Sequence, residues 1–484
     1  MNYKMMGRIA SWILSIEAAF MLPALLISAF SGEVQAAWAL GISAAITMAV
    51  AGALALVCRK AKAGLLAREG LVCVGLSWIL MSLFGCLPFY ISREIPSFID
   101  ALFEIVSGFT TTGASILTDV EAMSNGLLYW RSFSHWLGGM GVLVFLLAVL
   151  PGGGRAGGYS MHLLRAESPG PNVGKLVPKM KQTAMILYLL YIMLTVVNVI
   201  FLLAGGMPLF DAVCTAFGTA GTGGFGIKNS SIADYSPYIQ NVCTVFMFLF
   251  GVNFNIYYMV VMRRFGAVKR DDELKMYLAM MLISTALIAI NIRGMYPTWS
   301  DTIRHSAFQV SSIMTTTGFA TTDFDLWPSF AKSILLVLMI VGASAGSTGG
   351  GIKCSRVLLL FRLLRRSISQ VLHPQNVQVI RAAGHSVEEK VLERTYAYLA
   401  AYVMIILMSF VIISLDGFSL MTNFSAVLAC FNNIGPGLEV VGPVRNYSGF
   451  SVLSKLVLIF DMLAGRLEIF PILLLLTRRT WRKW

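Results

Sequence analysis

The chain has 484 residues, of which 57% are hydrophobic and 13% charged, a balance that excludes an ordinary water-soluble domain. Its formal charge of +13 does not point to nucleic acid, because the basic residues fall between apolar windows rather than on a polar domain. The seven cysteines are scattered, with no CxxC and no paired spacing, which signals neither a disulfide framework nor a zinc site and leaves them as small apolar residues.

Crossing about 30 Å of hydrocarbon takes roughly 20 helical residues. In chain order, windows of that kind fall near residues 9–30, 36–58, 71–92, 126–150, 184–205, 239–262, 275–293, 330–364, 394–415 and 450–477. The first follows Lys4 and Arg8, is too long for a signal-peptide core and lacks a small-x-small cleavage site, so a retained span is expected. Basic clusters occur at Arg59, Lys60, Lys62 and Arg68; at Arg155, Arg165, Lys175, Lys179 and Lys181; at Arg263, Arg264, Lys269, Arg270 and Lys275; from Lys353 to Arg394; and at Arg478, Arg479, Arg482 and Lys483. The positive-inside bias puts all of them, and both termini, in the cytoplasm.

Shorter semi-apolar stretches of about 12 to 15 residues lie between several windows; they are too short to cross and suit re-entrant segments. The order span, short apolar segment, Gly-containing loop, span occurs four times after an initial helix pair. The loops are SGFTTTGAS (Ser107 to Ser115), GTAGTGGFG (Gly218 to Gly226), SIMTTTGFA (Ser312 to Ala320) and CFNNIGPGL (Cys430 to Leu438), aligned on Gly113, Gly223, Gly318 and Gly435. The expected fold is an all-α polytopic membrane protein, with two N-terminal helices and four repeats arranged pseudo-fourfold around one pore. The expected boundaries are 1–70 for the helix pair, then repeats at 71–182, 183–270, 271–390 and 391–484.

A dehydrated cation needs oxygen ligands, and a bilayer offers none unless backbone carbonyls turn toward a protein-lined cavity. Extended Thr-Gly backbone can supply them, because Gly reaches φ values that let successive carbonyls point one way. Asp100, Asp211, Asp301 and Asn423 lie near the starts of the short segments. There they either simply cap surface helices or belong to helices whose negative ends face the cavity. Glu121, Asp234, Asp323, Asp325 and Glu439 follow the loops on the same outer face, where they either concentrate cations or form an ordinary solvated surface.

Residues 330–366 would make a helix of about 55 Å at 1.5 Å per residue, longer than the membrane is thick. Its middle, Gly342 to Lys353, holds five glycines and three hydroxyl residues in twelve positions and is expected to break. The break is either a flexible gate beneath the loops or a small-residue packing surface. Arg466 lies inside an otherwise apolar window and should face the interior, where it either repels the permeating ion or pairs with carbonyls of 342–351. Glu468, two positions on, cannot share its helix face. His135, beside Trp136, has no companion that would make a metal or catalytic site and is read as structural.

The motifs SGFTTTGAS, TAGTGGFG, TTTGFATTDF, NNIGPGLEVVG, GASAGSTGGGIK and MLAGRLEIF resemble those of the TrkH/KtrB superfamily of potassium transporters over essentially the whole chain, and the N-terminal helix pair resembles the TrkH branch. The resemblance implies that Thr111, Thr112 and Gly113, Gly221, Thr222 and Gly223, Thr316, Thr317 and Gly318, and Asn433, Ile434 and Gly435 line a potassium filter. It implies a gating loop containing Gly342, Gly346, Gly349, Gly350 and Gly351, and a pore arginine at Arg466. It further implies a homodimer in the bacterial inner membrane with a cytoplasmic nucleotide-binding partner, TrkA-like. Potassium is then the permeant ligand, with no covalent cofactor and no nucleic acid. Gly221 and the Asn-Asn-Ile run depart from Thr-Thr-Thr, implying an asymmetric pore of moderate selectivity; a Gly at all four aligned positions implies potassium over sodium.

The main rival is a potassium/proton symporter, which wants a mid-membrane carboxylate; Glu104 and Glu468 are the candidates, and neither sits within a Gly loop. An intramembrane enzyme finds no GxSxG, HExxH or comparable pairing within a span.

Overall fold

A computed structural model describes residues 1–61, 66–141, 180–373, 375, 378–382 and 385–481. The basic positions Lys62, Arg155, Arg165, Lys175, Lys179, Arg482 and Lys483, and the second half of the window at 126–150, lie outside the described residues. The described chain is all-α except for an antiparallel hairpin of two-residue strands, pairing Arg381 with Ser386.

Two long helices, α1 (Tyr3–Phe30) and α2 (Val34–Val57), pack along one another, with the Ser11 hydroxyl donating to Ala51 O at 2.8 Å. The stretch expected as the first repeat holds α3 (Ala67–Gly85), α4 (Leu87–Ile91), α5 (Phe98–Phe109) and α6 (Asn125–Gly139). The second comprises α7 (Met180–Ala204), α8 (Leu209–Gly221), α9 (Pro237–Phe250), α10 (Phe254–Val261) and α11 (Phe265–Lys269). The third comprises α12 (Asp272–Asn291), α13 (Trp299–Met314), α14 (Ser329–Val341) and α15 (Cys354–Leu372). The last comprises α16 (Glu389–Ile413), α17 (Leu420–Phe431), α18 (Val452–Arg466), α19 (Phe470–Leu476) and α20 (Arg478–Trp481).

Six described helical stretches are long and apolar enough to cross a membrane. Leu22, Trp38, Leu189, Leu282 and Val411 stand exposed on α1, α2, α7, α12 and α16, a surface that water would penalise and lipid accepts. Three of the apolar windows are broken, two of them against expectation. The window at 239–262 bends by 89° between α9 and α10, 330–364 breaks at 342–353 as expected, and 450–477 breaks after Arg466, where Glu468 and Ile469 take φ of 57 and 68°. In the first repeat α6 stops at Gly139.

The short helices α5, α13 and α17 begin on hydroxyl caps. Ser97, Thr298 and Ser419 accept from the N–H of Asp100, Asp301 and Thr422 at 3.3, 3.1 and 3.1 Å. Asp100 instead receives Lys455 Nζ at 2.6 Å, and Asp211 the Tyr235 hydroxyl at 2.8 Å. These acids therefore anchor the short helices sideways to their neighbours.

Candidate functional site

Each short helix ends in the same backbone geometry. Thr111, Thr222, Thr316 and Asn433 take φ of 56, 54, 59 and 55°, and two residues later Gly113, Gly224, Gly318 and Gly435 take 78, 78, 83 and 94°. Between them, the N–H groups of Thr112, Gly223, Thr317 and Ile434 each reach back five residues to a helix carbonyl at 2.8 Å, the longer bond of a Schellman-type C-terminus. The equivalent triplets are thus 111–113, 222–224, 316–318 and 433–435. The alignment on Gly223 is displaced by one: Gly224 is the partner of Gly113, and Gly221 is the last residue of α8, matching Thr110, Thr315 and Asn432.

The four loops touch in a closed cycle. A Cβ at Gly113 would strike Gly223 O, one at Gly224 Thr317 O, one at Gly318 Ile434 O, and one at Gly435 Thr112 O. In each case the obstacle is the carbonyl just before the next loop's glycine, so four distant segments meet at van der Waals distance. The same four glycines line one outward-opening cavity, together with Lys228, Arg445 and Tyr447.

Behind the ring, the Thr110–Thr112 and Thr315–Thr317 hydroxyls pair at 2.8 Å each. Asn433 Nδ2 donates to Thr112 Oγ1 and to Met462 O, both at 3.0 Å. The Tyr447 hydroxyl donates to Gly435 O at 2.7 Å. Arg131 on α6 donates to Glu104 at 2.6 Å and to Gly226 O at 2.9 Å, while Glu104 also accepts the Ile116 N–H at 2.9 Å. Both side chains are buried, and Glu104 is committed to this ion pair.

The segment 342–353 lies directly beneath. The Gly350 N–H donates to the Thr316 hydroxyl at 2.6 Å, and Cβ atoms at Gly349 and Gly350 would strike Thr315 O and Asn432 O. Glu273 on α12 accepts from Ala345 N–H at 2.6 Å and Ser355 N–H at 3.1 Å, holding the segment and the start of α15 that follows it. Ser344 N–H donates to Gly251 O, and Phe254 N–H to Gly346 O, both at 3.1 Å, seating the segment in the bend of α9 and α10. Gly342 terminates α14 with φ 73°. Arg466 donates to Thr348 O and Gly139 O, each at 2.7 Å, and to Gly138 O. It thereby satisfies carbonyls at the C-terminus of α6, where a cation is favoured. Glu468 pairs with Arg356 of α15 rather than within its own helix.

The outer acids are individually tied. Glu121 accepts from Asn229 N–H at 3.0 Å, Asp323 from Asp325 N–H at 3.1 Å, and Asp325 lies 3.6 Å from Lys332 Nζ. Asp234 accepts from the Ser230 hydroxyl. Hydrogen bonds from the Ser419 and Thr422 hydroxyls hold Glu439 below the usual carboxylate range.

The profile of the TrkH family, described as a cation transport protein, matches residues 39–481. The chain belongs to this family. Among TrkH family relatives, the Trk system potassium uptake protein TrkH of Salmonella typhimurium is 36% identical over 432 residues, 88% of either chain. TrkH of Halomonas elongata is 34% identical over 491 residues, covering 100% of both, and the Trk system potassium uptake protein TrkG of Escherichia coli is 33% identical over 97% of this chain and 96% of its own. The crystal structure of the potassium transporter TrkH from Vibrio parahaemolyticus matches with a TM-score of 0.88 and 29% identity, covering 100% of both chains. The similarity to that fold therefore runs along the full length of this chain.

Sequence reasoning missed Glu273, Tyr447 and the bend at Gly251. Glu273 follows two aspartates at a helix start, where an acid ordinarily signals capping alone.

Proposed function

We propose that this TrkH family member takes up potassium across the bacterial cytoplasmic membrane, through the ring formed by the triplets 111–113, 222–224, 316–318 and 433–435. The observation that carries the proposal is the closed cycle in which each glycine abuts the carbonyl preceding the next. Strands of positive-φ backbone packed this closely concentrate main-chain oxygens around one axis, the chemistry that replaces the hydration shell of a potassium ion. The relatives named as potassium uptake proteins support the same cargo. The second and fourth triplets, Thr-Gly-Gly and Asn-Ile-Gly against Thr-Thr-Gly in the other two, make the ring asymmetric and its discrimination against sodium moderate.

The segment 342–351 and Arg466 obstruct the path below the ring and form its gate. Cytoplasmic termini fit the basic clusters; the protein works as a homodimer, and a cytoplasmic nucleotide-binding subunit of the TrkA kind acts on the gate from that side. No chemical conversion of a substrate is part of this function. The symporter alternative gains nothing from Glu104, which is already paired to Arg131.

The test is rubidium influx into proteoliposomes holding the purified protein, in competition with potassium or sodium. Potassium should compete far better than sodium, and Gly113→Ser, whose side chain would strike Gly223 O, should narrow the difference. Equal competition by both ions in the wild type would reject the proposal.

A further inference from the structure

The first and third loops carry a brace of their own. Thr110 with Thr112, and Thr315 with Thr317, form hydroxyl pairs at 2.8 Å; in the fourth loop the Asn432 amide oxygen accepts from the Tyr402 hydroxyl at 3.1 Å. In the register set by the structure, the corresponding positions of the second loop are Gly221 and Gly223, which have no side chain to contribute. The space is filled from outside. A Cβ at Gly221 would strike the His135 carbonyl, and one at Gly223 would strike the His135 ring.

His135 is fully buried on α6. Its Nε2 accepts the Phe225 N–H at 3.2 Å, so Nδ1 carries the ring proton and donates to Gly108 O at 2.7 Å. One neutral imidazole thus joins the last turn of α5 to the residue following Gly224. The Phe225 ring lies 4.1 Å from the imidazole centroid and also receives the Arg131 guanidinium, 3.5 Å from its own centroid.

We infer that His135 is a positioning residue for the second glycine loop. It supplies from α6 the brace that threonine hydroxyls supply within the first and third loops, and so helps determine which ion the ring accepts. The physical need is general: a loop with glycine at four of the six positions 221–226 has more conformational freedom than its three neighbours and holds one geometry only if something external fixes it. The inference rests on the proposed conduction through the ring.

The test compares potassium with sodium as competitors of rubidium influx, using purified protein that elutes as a single folded species. The variants are Gly113→Ser, His135→Ala, His135→Asn, and His135→Ala combined with Gly223→Thr. His135→Ala should lower discrimination against sodium roughly fivefold while influx persists, the effect of losing two buried hydrogen bonds to the loop and its neighbour. His135→Asn, which keeps a donor for Gly108 O and loses the acceptor for Phe225 N–H, should show a smaller loss and decides the matter if the alanine variant does not fold. Adding Gly223→Thr to His135→Ala should recover part of the discrimination, because the vacated ring volume then takes the threonine. Wild-type discrimination in both single His135 variants, with Gly113→Ser loosened, would overturn this inference alone. Wild-type discrimination in Gly113→Ser as well would overturn the conduction proposal beneath it.

Discussion

The Thr316 hydroxyl accepts a hydrogen bond from the Gly350 N–H at 2.6 Å, joining the third glycine loop to the segment that lies under it. Thr316 itself sits at φ 59° within the ring, so the segment cannot withdraw without releasing an element of the ring. Thr316→Val preserves shape but leaves the buried N–H unpaired, at a cost of about 1–3 kcal/mol. Rubidium influx should rise and discrimination against sodium fall in this variant, while Thr316→Ser should resemble the wild type. Influx and discrimination unchanged in Thr316→Val would separate the two elements.

Arg466 satisfies Thr348 O, Gly139 O and Gly138 O with one guanidinium. Arg466→Ala removes a positive charge from below the ring and unpairs carbonyls of two repeats, each charged hydrogen bond being worth roughly 1.5–3 kcal/mol. Influx should increase several-fold over the wild type, with a lower melting temperature in detergent. Arg466→Lys keeps the charge and lacks the planar fork, so it should fall between the two. An alanine variant that conducts no faster than wild type would remove Arg466 from the gate.

Glu273 grips the segment at Ala345 and the start of α15 at Ser355 through a single carboxylate oxygen. Glu273→Gln retains an acceptor there and should conduct like the wild type. Glu273→Ala loses both bonds, about 1–3 kcal/mol for each buried N–H left unpaired, and should leak rubidium in the closed state. Equal influx from the two variants would show that the segment is held elsewhere.

Glu104 and Arg131 form a buried pair at 2.6 Å. Arg131→Leu strands a carboxylate and should destabilise the protein by about 3–5 kcal/mol, whereas Arg131→Leu with Glu104→Leu should regain much of the loss. Because Glu104 is held by Arg131 and the Ile116 N–H, a pH-sensitive dye inside the vesicles should register no proton entry proportional to potassium uptake. Stoichiometric acidification would revive the symporter.

Membrane residence, the four short helices ending in glycine loops and the break at 342–353 were legible because each depends on local composition: runs of apolar residues, recurring glycines, a cluster of small residues. The breaks at Gly251 and after Arg466 were not read from it, although FLFGVNFN and AGRLEIFP hold Gly251 and Pro471, which favour a break without fixing its place. Those breaks follow from what inserts beside them, Ser344 at Gly251 O and Arg466 at the end of α6. The outer acids read either as a field for cations or as a solvated surface, and their hydrogen bonds to Asn229, Asp325 and Thr422 are specific to the folded loops.

The second loop separates the two levels most clearly. By itself the sequence determined that each short helix would run into a glycine-containing loop, because glycine reaches φ values closed to other residues. Which of Gly223 and Gly224 is the counterpart of Gly113 was decided only by tertiary structure: the His135 ring stands where a side chain at 223 would go, and Thr317 O where one at 224 would go. A dihedral preference travels with the residue, while an approach between backbones about ninety residues apart exists only once the chain has closed on itself.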